Sequence, residues 1–150
     1  MSVLGLFKGA AAAKRRTVYE QYAQITVTIP ANQPANSVLQ ANITLDPLEG
    51  ARASVTVPKG ETWILSDLYI RSSSDVPVET KLIFVKNDRE NVLDTQPLSV
   101  YVVTNPSRPL ITPITLQEGE KLTIRAINLV AGPATAQTVT AFIKLQRLVS

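Results

Sequence analysis

The sequence predicts an all-β domain, a sandwich or a barrel, that follows a short basic N-terminal arm. Apolar and polar residues alternate in eight or nine short stretches between residues 24 and 148, a pattern typical of half-buried strands. Turn-forming residues separate these stretches, and no helical periodicity continues past residue 22. With 150 residues, the chain can form one domain that buries about 70% of its unfolded surface.

The strand pattern is clearest in residues 24–29 (QITVTI), which alternate strictly and stop before Pro30. The stretch 110–116 contains Pro113, which cannot donate a hydrogen bond to a neighbouring strand. We therefore expect this strand at a sheet edge or at a bulge. The complete set of predicted strands is 24–29, 38–45, 53–57, 63–70, 78–86, 98–104, 110–116, 122–129 and 138–148.

A short phrase occurs twice, as VPKGETWIL in residues 57–65 and as LQEGEKLTI in residues 116–124. Gly60 and Gly119 are each predicted to close a tight turn that leads into a strand, because glycine tolerates turn conformations. A loop of small and polar residues and a further strand follow in both halves, as expected for two similar Greek-key halves. The alternative is that any antiparallel strand pair gives this pattern, since only Gly and Glu match.

The chain contains no cysteine and no histidine. Without cysteine, disulfides, thiol nucleophiles and cysteine-based zinc sites are excluded. Without histidine, the usual general base is missing, and so is every Ser-His-Asp or Cys-His arrangement. We therefore expect a protein that is not an enzyme and that uses no cofactor or metal.

Two groups of acidic residues are considered as functional sites, one for calcium binding and one for glycoside hydrolysis. The segment KNDRENVLD at residues 86–94 is rich in oxygen ligands for calcium, but Arg89 and the lack of glycine favour a solvated turn between two strands. Glycoside hydrolysis needs two carboxylates roughly 5 to 9 Å apart, and no spacing in the sequence predicts such a pair. The carboxylates considered for that reaction are Asp67, Asp75, Glu79 and Glu118.

The net charge of +3 lies entirely in the first 22 residues. The remaining residues are neutral, with five Lys and six Arg against five Asp and six Glu. We divide the chain into an N-terminal arm at residues 1–22 and a β-sandwich domain at residues 23–150. A neutral domain with a basic arm suggests that the arm has its own partner, such as phosphate, a lipid surface or an acidic neighbour. The charged residues of the arm are Lys8, Lys14, Arg15, Arg16 and Glu20.

The arm is also partly apolar, with Val3, Leu4, Leu6 and Phe7 ahead of the basic residues 14–16. In a secretory signal peptide the positive charge comes first, so we expect no cleaved signal here. The apolar run is also too short to span a bilayer, which takes about 20 residues. A helical arm would be an amphipathic anchor, and the alternative is a frayed, solvated terminus.

Five aromatic residues fall in predicted strands, and we expect them to pack in the core. A carbohydrate-binding sandwich would present such rings on one exposed face. Strand alternation places most of these rings inward, and aromatic residues make up only 5% of the chain. The five are Trp63, Tyr69, Phe84, Tyr101 and Phe142.

A basic, partly apolar arm on a neutral sandwich of about eight strands without catalytic groups resembles a viral single jelly-roll capsid protein. The resemblance is one of architecture and covers the whole chain. It implies an eight-stranded antiparallel β-sandwich of jelly-roll type, with two facing four-stranded sheets. The loops are shorter than in many major capsid proteins, so a vertex, minor or decoration protein is implied as readily as the major shell subunit.

By this resemblance the chain would be a structural virion protein, made in the host cytoplasm and located in the virion. Its partners would be other copies of itself or other capsid subunits, with genome nucleic acid or an internal membrane at the arm, and no small-molecule substrate. Basic arm residues would face genome or membrane, and apolar ones would lock into a neighbouring subunit. These implied contact residues are Leu4, Leu6, Phe7, Lys8, Lys14, Arg15 and Arg16.

Two further hypotheses remain. A small β-sandwich binding module for a glycan or a peptide would be monomeric, with an expendable arm and an exposed aromatic cluster. A hydrolase that uses two carboxylates would have a cleft with a raised carboxyl pKa. The capsid hypothesis instead predicts self-association that depends on the arm.

Overall fold

Two antiparallel β-sheets pack face to face and form a β-sandwich. The computed structural model describes residues 17–71, 78–102 and 109–150, and the side chains of residues 109–111 lie outside this description. The prediction of an all-β fold is confirmed, and the described residues contain no α-helix. In the same part of the chain, no helix is long and apolar enough to cross a membrane.

The described strands form two sheets. The first sheet has the order β3-β1-β10-β5-β8, and the second has the order β2-β9-β6-β7, with β4 also paired to β9. Strand β8 lies at an edge of the first sheet, as predicted from Pro113. In chain order the strands are β1 (Thr17–Ile29), β2 (Val38–Gln40), β3 (Asn42–Thr44), β4 (Ser54–Thr56), β5 (Glu61–Tyr69), β6 (Thr80–Lys86), β7 (Glu90–Asp94), β8 (Pro109–Leu116), β9 (Lys121–Asn128) and β10 (Gln137–Val149).

Strand pairing is nested along the chain. β1 pairs with β10, β2 and β4 with β9, β5 with β8, and β6 with β7, always antiparallel. The chain therefore follows one long hairpin whose tip is the turn at residues 87–89, and successive pairs fall alternately in the first and second sheets. Asn87 and Asp88 make this turn with φ values of 54° and 59°, left-handed values that Asn and Asp adopt more readily than most residues.

The core fills the space between the two sheets. In β1 every second residue from 23 to 29 is buried, and in β9 Leu122, Ile124 and Ala126 are buried opposite them. This period of two places one row of side chains inward and the other outward. Burying one Leu or Ile contributes roughly 1.5–3 kcal/mol, so the inward rows provide the main driving force for this fold.

The predicted strand at residues 98–104 is wrong over its described part, because Leu98–Tyr101 forms a 3-10 helix. Leu98 and Tyr101 are both buried, and a spacing of three residues places both side chains on one side of a 3-10 turn. The Tyr101 carbonyl accepts the N–H of Ile70 at 2.9 Å, which fixes the turn beside the end of β5.

Two other segments explain why ten strands are described although nine were predicted and one of these is wrong. Residues 38–45 form two strands, because the chain leaves the second sheet after β2, turns at the buried Ala41 and enters the first sheet as β3. Residues 90–94 lie in a segment predicted as a turn, but only residues 87–89 turn and the rest pairs with β6 as β7.

Strand β1 begins at Thr17, inside the segment assigned to the arm, and residues 17–22 pair with residues 144–149 of β10. Here the sandwich ends, so both faces of β1 are exposed or half-buried and the apolar alternation is lost. The first residues of β1 therefore lack the apolar alternation that would predict a strand. The predicted contact residues Leu4, Leu6, Phe7, Lys8, Lys14, Arg15 and Arg16 lie outside the described residues.

The repeated phrase forms two equivalent turns, at residues 58–61 and 117–120. In each, the N–H of the fourth residue donates to the carbonyl of the first, at 3.2 and 3.1 Å, and the glycine has φ of +83° or +81°. The turns also contact each other, because the Gly60 N–H donates to the Glu118 carboxylate at 2.6 Å. The predicted tight turns are confirmed, and they join the two sheets at one end of the sandwich.

Candidate interaction surface

Three aromatic side chains lie together on the outer face of the first sheet. Tyr22 of β1 is 49% exposed, and Tyr69 of β5 and Phe142 of β10 are half-buried. Phe142 lies directly opposite Tyr69 across the β10–β5 pair, while Tyr22 lies opposite Lys144 and so reaches Tyr69 diagonally. The pairing of three strands thus assembles this cluster from distant parts of the sequence.

The rings and one guanidinium group form a continuous series of contacts, which we call the outer ladder: Tyr22, Tyr69, Phe142 and Arg71. The Tyr22 and Tyr69 ring centroids are 5.5 Å apart at 82°, an edge-to-face contact. The Tyr69 and Phe142 centroids are 5.2 Å apart at 19°, and the Arg71 guanidinium carbon lies 4.7 Å from the Phe142 centroid. Each aromatic pair contributes about 0.5–1.5 kcal/mol beyond its buried area.

The predicted inward packing of five aromatic residues is correct for Trp63, Phe84 and Tyr101, which are 0–6% exposed. It is wrong for Tyr69 and Phe142, which point outward. Phe142 lies between two fully buried residues of β10, so strict alternation assigns it to the outer face. In β5, a register shift between residues 65 and 68 turns Tyr69 outward.

Further apolar side chains extend the outer ladder toward the end of the sandwich. Val18 of β1 is 55% exposed, and Ile64 and Leu148 on the neighbouring strands are half-buried. Val18 and Leu148 lie an even number of residues from Tyr22 and Phe142, and so share their face. Ile64 lies opposite Gln146, which is four residues from Phe142 and therefore also on the outer face. We call the outer ladder together with these three residues the outer patch.

Charged groups of both signs accompany the outer patch. The Lys144 ammonium lies 3.1 Å from the Glu20 carboxylate, and this ion pair raises the pKa of Lys144, with a smaller contribution from Asp67. Glu20, Asp67, Lys144 and Arg71 together carry no net charge. The outer patch is therefore aromatic, half-exposed and electrically balanced.

A concave region, the end groove, opens where β1 and β10 extend past the second sheet, and it has a volume of about 600 Å³. At its base the Arg147 guanidinium binds the Glu61 carboxylate through two nitrogens, at 2.8 and 3.0 Å. The Trp63 indole N–H donates to the same carboxylate at 3.0 Å. The groove is lined by Gln21, Leu45, Asp46, Pro47, Glu49, Arg52, Val55, Thr56, Pro58, Trp63 and Arg147.

In the end groove, Glu61 and Arg147 stabilise each other in their charged forms. The hydrogen bond from Arg147 holds the pKa of Glu61 below its ordinary value, and the same bond raises the pKa of Arg147. A carboxylate held ionised by three donors is a poor general acid. The hydrolase hypothesis requires the opposite, a cleft carboxyl with a raised pKa, so this groove lends it no support.

The carboxylates considered for hydrolysis are dispersed, and two of them accept hydrogen bonds from backbone N–H groups. Glu118 accepts the Gly60 N–H, and Glu79 accepts the N–H of Ser99 at 3.4 Å. Asp67 lies beside Lys144, and Asp75 is outside the described residues.

In residues 86–94, the segment considered for calcium binding, side-chain oxygens of Asn87 and Asp88 bind other groups of the protein. The Asn87 side-chain oxygen accepts the Lys121 N–H at 2.9 Å, and the Asp88 carboxylate pairs with the Lys121 ammonium. Over the described ranges, no cluster of three or more acidic residues is arranged to hold a metal ion. These contacts favour the structural turn over the calcium site.

No protein-family model matches this chain, and no curated protein matches it either.

Proposed function

We propose that this chain is a structural virion protein, a jelly-roll capsid subunit that assembles through its N-terminal arm and the edges of its sandwich. The observation that carries the proposal is the nested strand order. Four antiparallel pairs, β1·β10, β2·β9, β5·β8 and β6·β7, alternate between the two sheets. A long hairpin rolled in this way supports the proposal of an eight-stranded jelly roll, in which β3 and β4 would be short additions.

Jelly rolls occur both in viral capsid proteins and in lectin domains. A jelly-roll strand order would therefore be compatible with either function. The charge distribution favours the capsid role, because the neutral sandwich carries an arm with all of the net charge of +3. A basic arm suits binding to phosphate groups of a genome or of a membrane surface.

The two edges of the first sheet, at β8 and β3, disfavour the addition of a strand from a neighbouring chain. Edge strand β8 contains Pro109 and Pro113, and proline cannot pair with an added strand. The outer side of β3 is occupied by Arg52, whose backbone exchanges two hydrogen bonds of 2.8 Å with Ile43. Neighbouring subunits would therefore meet at these edges through side chains, which allows contacts of fixed geometry.

The proposal is tested by light scattering after size exclusion, with the full chain and a variant that begins at Thr17. Starting at Thr17 keeps β1 whole, whereas a start at Ala23 would remove residues that pair with β10. We expect large assemblies from the full chain, weakened by salt, and much smaller species from the variant. Small species of equal size from both proteins would contradict arm-driven assembly.

The second candidate is a binding module for a glycan or a peptide, and the exposed rings of the outer ladder favour it. Sugars stack on free ring faces, yet the Phe142 ring already contacts the Tyr69 ring and the Arg71 guanidinium. Calorimetric titration of the full chain with a panel of oligosaccharides tests this function. Saturable binding that Tyr22→Ala abolishes would place this candidate ahead of the capsid subunit.

A further inference from the structure

One side of β1 is unpaired over the first residues of the strand. β10 pairs with β1 along its whole length, whereas β3, on the other side, pairs only with residues 24–26. Among the described residues, no backbone hydrogen bond reaches residues 17–21 from the β3 side. We call this side of residues 17–21 the open edge. Unpaired backbone groups of this kind are a template for a further strand.

A hydrogen bond at the end of β10 determines which backbone groups lie at the open edge. Ser150 donates its N–H to the Gly60 carbonyl at 2.9 Å, so even-numbered residues in this part of β10 turn toward β5 and odd-numbered ones toward β1. The odd-numbered residues of β10 lie opposite the odd-numbered residues of β1, which therefore bond to β10. The N–H and C=O groups of Val18 and Glu20 point the other way, to the open edge.

The pairing with β3 gives the same assignment independently. Ile43 of β3 exchanges both of its backbone hydrogen bonds with Arg52, so it makes none with Ile25, which lies opposite it in β1. The hydrogen bonds from β1 to β3 therefore come from even-numbered residues of β1. The pairing of β1 with β10 has no register shift, so this alternation holds to the start of the strand.

The open edge lacks the features that block the other edges of the first sheet. Those edges contain the prolines of β8 or are covered by Arg52 beside β3. Residues 17–21 (TVYEQ) contain neither proline nor lysine, which commonly protect an edge. Val18 and Tyr19 point to opposite faces of the sheet and are both 55% exposed, so a further strand can approach from the side.

The pattern of unpaired groups indicates an extended polypeptide as the partner. A sugar, a nucleic acid or a lipid head group does not offer N–H and C=O groups at the spacing of a strand. A second copy of this chain offers the same groups in the required order. A twofold axis perpendicular to the sheet places two copies of one edge antiparallel, so that each donor meets an acceptor.

The twofold symmetry also restricts the register. Residues that pair across strands lie on the same face of a sheet, so a strand that pairs with its own copy must place one residue opposite itself. With Glu20 at the centre, two carboxylates would lie opposite each other, which is unfavourable. With Tyr19 at the centre, two aromatic rings lie opposite each other, which is favourable. This register also places Val18 opposite Glu20 of the second copy, so their open N–H and C=O groups bond to one another.

We propose that the open edge of β1 pairs with the same edge of a second copy of this chain, antiparallel and centred on Tyr19. The two first sheets then form one continuous sheet across a twofold axis. This contact uses neither the arm nor the edges at β8 and β3, so it does not depend on the capsid role. The contact is small, so we expect a weak dimer that forms at high protein concentration.

The test is sedimentation equilibrium of the full chain at concentrations up to about 1 mM, in high salt that screens the arm charges. Val18→Pro removes an N–H group from the open edge and leaves the hydrogen bonds to β10 in place. Val18→Thr is the matched control, because it keeps this N–H group and the branched side chain. Fluorescence of Trp63, the single tryptophan, reports that each variant is folded.

We expect a dissociation constant that rises at least about tenfold in Val18→Pro and less than about twofold in Val18→Thr. Amide hydrogen exchange identifies the surface. The N–H groups of Val18 and Glu20 should become protected as the concentration rises, whereas those of Tyr19 and Gln21 are protected at every concentration by β10.

Three results would overturn the proposal. A full chain that stays monomeric at every concentration is the first, and a dimer that Val18→Pro leaves unchanged is the second. The third is protection of Val18 that does not depend on concentration and is lost in the variant that begins at Thr17, which would assign the open edge to the chain's own arm. Arm-driven assembly is measured separately at low salt, so either proposal can fail alone.

Discussion

The two outer faces of the sandwich are built from similar strands but differ in chemistry. On the first sheet, aromatic rings contact one another and a guanidinium group, with the Lys144–Glu20 ion pair beside them. On the second sheet and its adjoining turns, ammonium groups pair with carboxylates at the surface. These pairs are Lys81–Asp94, Lys86–Glu90, Lys86–Glu120 and Lys121–Asp88.

This difference matters because water treats the two faces differently. Exposed ion pairs remain hydrated and contribute little to stability, so these charged parts of the second face are well suited to solvent, although the same sheet also exposes Val38. Contact with water is unfavourable for the apolar surface of half-exposed aromatic rings, so covering that surface would lower the free energy. The two faces therefore differ in the groups that they present to water, and the comparison can be tested by substitution.

The largest expected effect separates the inner and outer rows of one strand. Ile143 of β10 is fully buried, and its neighbour Phe142 lies on the outer face. Ile143→Ala should lower the free energy of unfolding by about 3–4 kcal/mol through loss of buried area and a residual cavity. Phe142→Ala should cost about 1–2 kcal/mol, since it removes a half-buried ring. Urea unfolding of the dilute protein, followed by Trp63 fluorescence, measures both, and equal losses would contradict the assigned faces.

The next effect compares ion pairs in two surroundings. Glu61 receives donors from Arg147 and Trp63 at the base of the end groove, so Glu61→Gln should lower the free energy of unfolding by about 2 kcal/mol. The control Glu90→Gln changes a carboxylate that is 63% exposed and should leave stability nearly unchanged. Urea unfolding at neutral pH is the measurement. Similar losses from the two variants would contradict the distinction.

The Glu61 carboxylate should also make the free energy of unfolding depend on pH. The pKa of Glu61 is lowered by folding from an ordinary value of 4.5, so the unfolded chain binds protons more readily than the folded protein. The stabilisation is therefore complete above pH 4.5 and is lost as pH falls through the folded pKa. We expect unfolding free energy to decrease below pH 4.5, less steeply in Glu61→Gln. Identical acid profiles for the two proteins would show that Glu61 is not part of this dependence.

Much of the fold could be predicted from the sequence, because alternation depends on local spacing. Pro113 predicted an edge strand, and the two glycines of the repeated phrase predicted turns that the structure contains. Residues 90–94 escaped prediction because β7 has a mixed polar pattern and is defined by its pairing with β6. The 3-10 helix at Leu98–Tyr101 has apolar residues that also fit a strand.

The candidate surface was harder to predict, because register and not spacing creates it. Tyr22 belongs to the segment read as an arm, and only its pairing with Lys144 of β10 brings it near Tyr69. Alternation around Phe142 could have assigned that ring to the outer face. Its contact with Arg71 depends on where the chain leaves β5, which no local pattern records.

The smallest expected effect distinguishes the two outer faces directly. In double-mutant cycles, Tyr69 and Phe142 should show a coupling of about 0.5–1.5 kcal/mol that persists in salt, because stacked rings interact without net charge. Lys81 and Asp94 are 3.3 Å apart and 28% and 55% exposed, so their coupling should be below about 0.5 kcal/mol. Each cycle uses two alanine variants and their double variant, measured by urea unfolding at low and high salt. Screening should remove most of the ion-pair coupling, since both charges are open to solvent. An ion-pair coupling as large as that of the rings, or equally resistant to salt, would contradict the difference in chemistry assigned to the two faces.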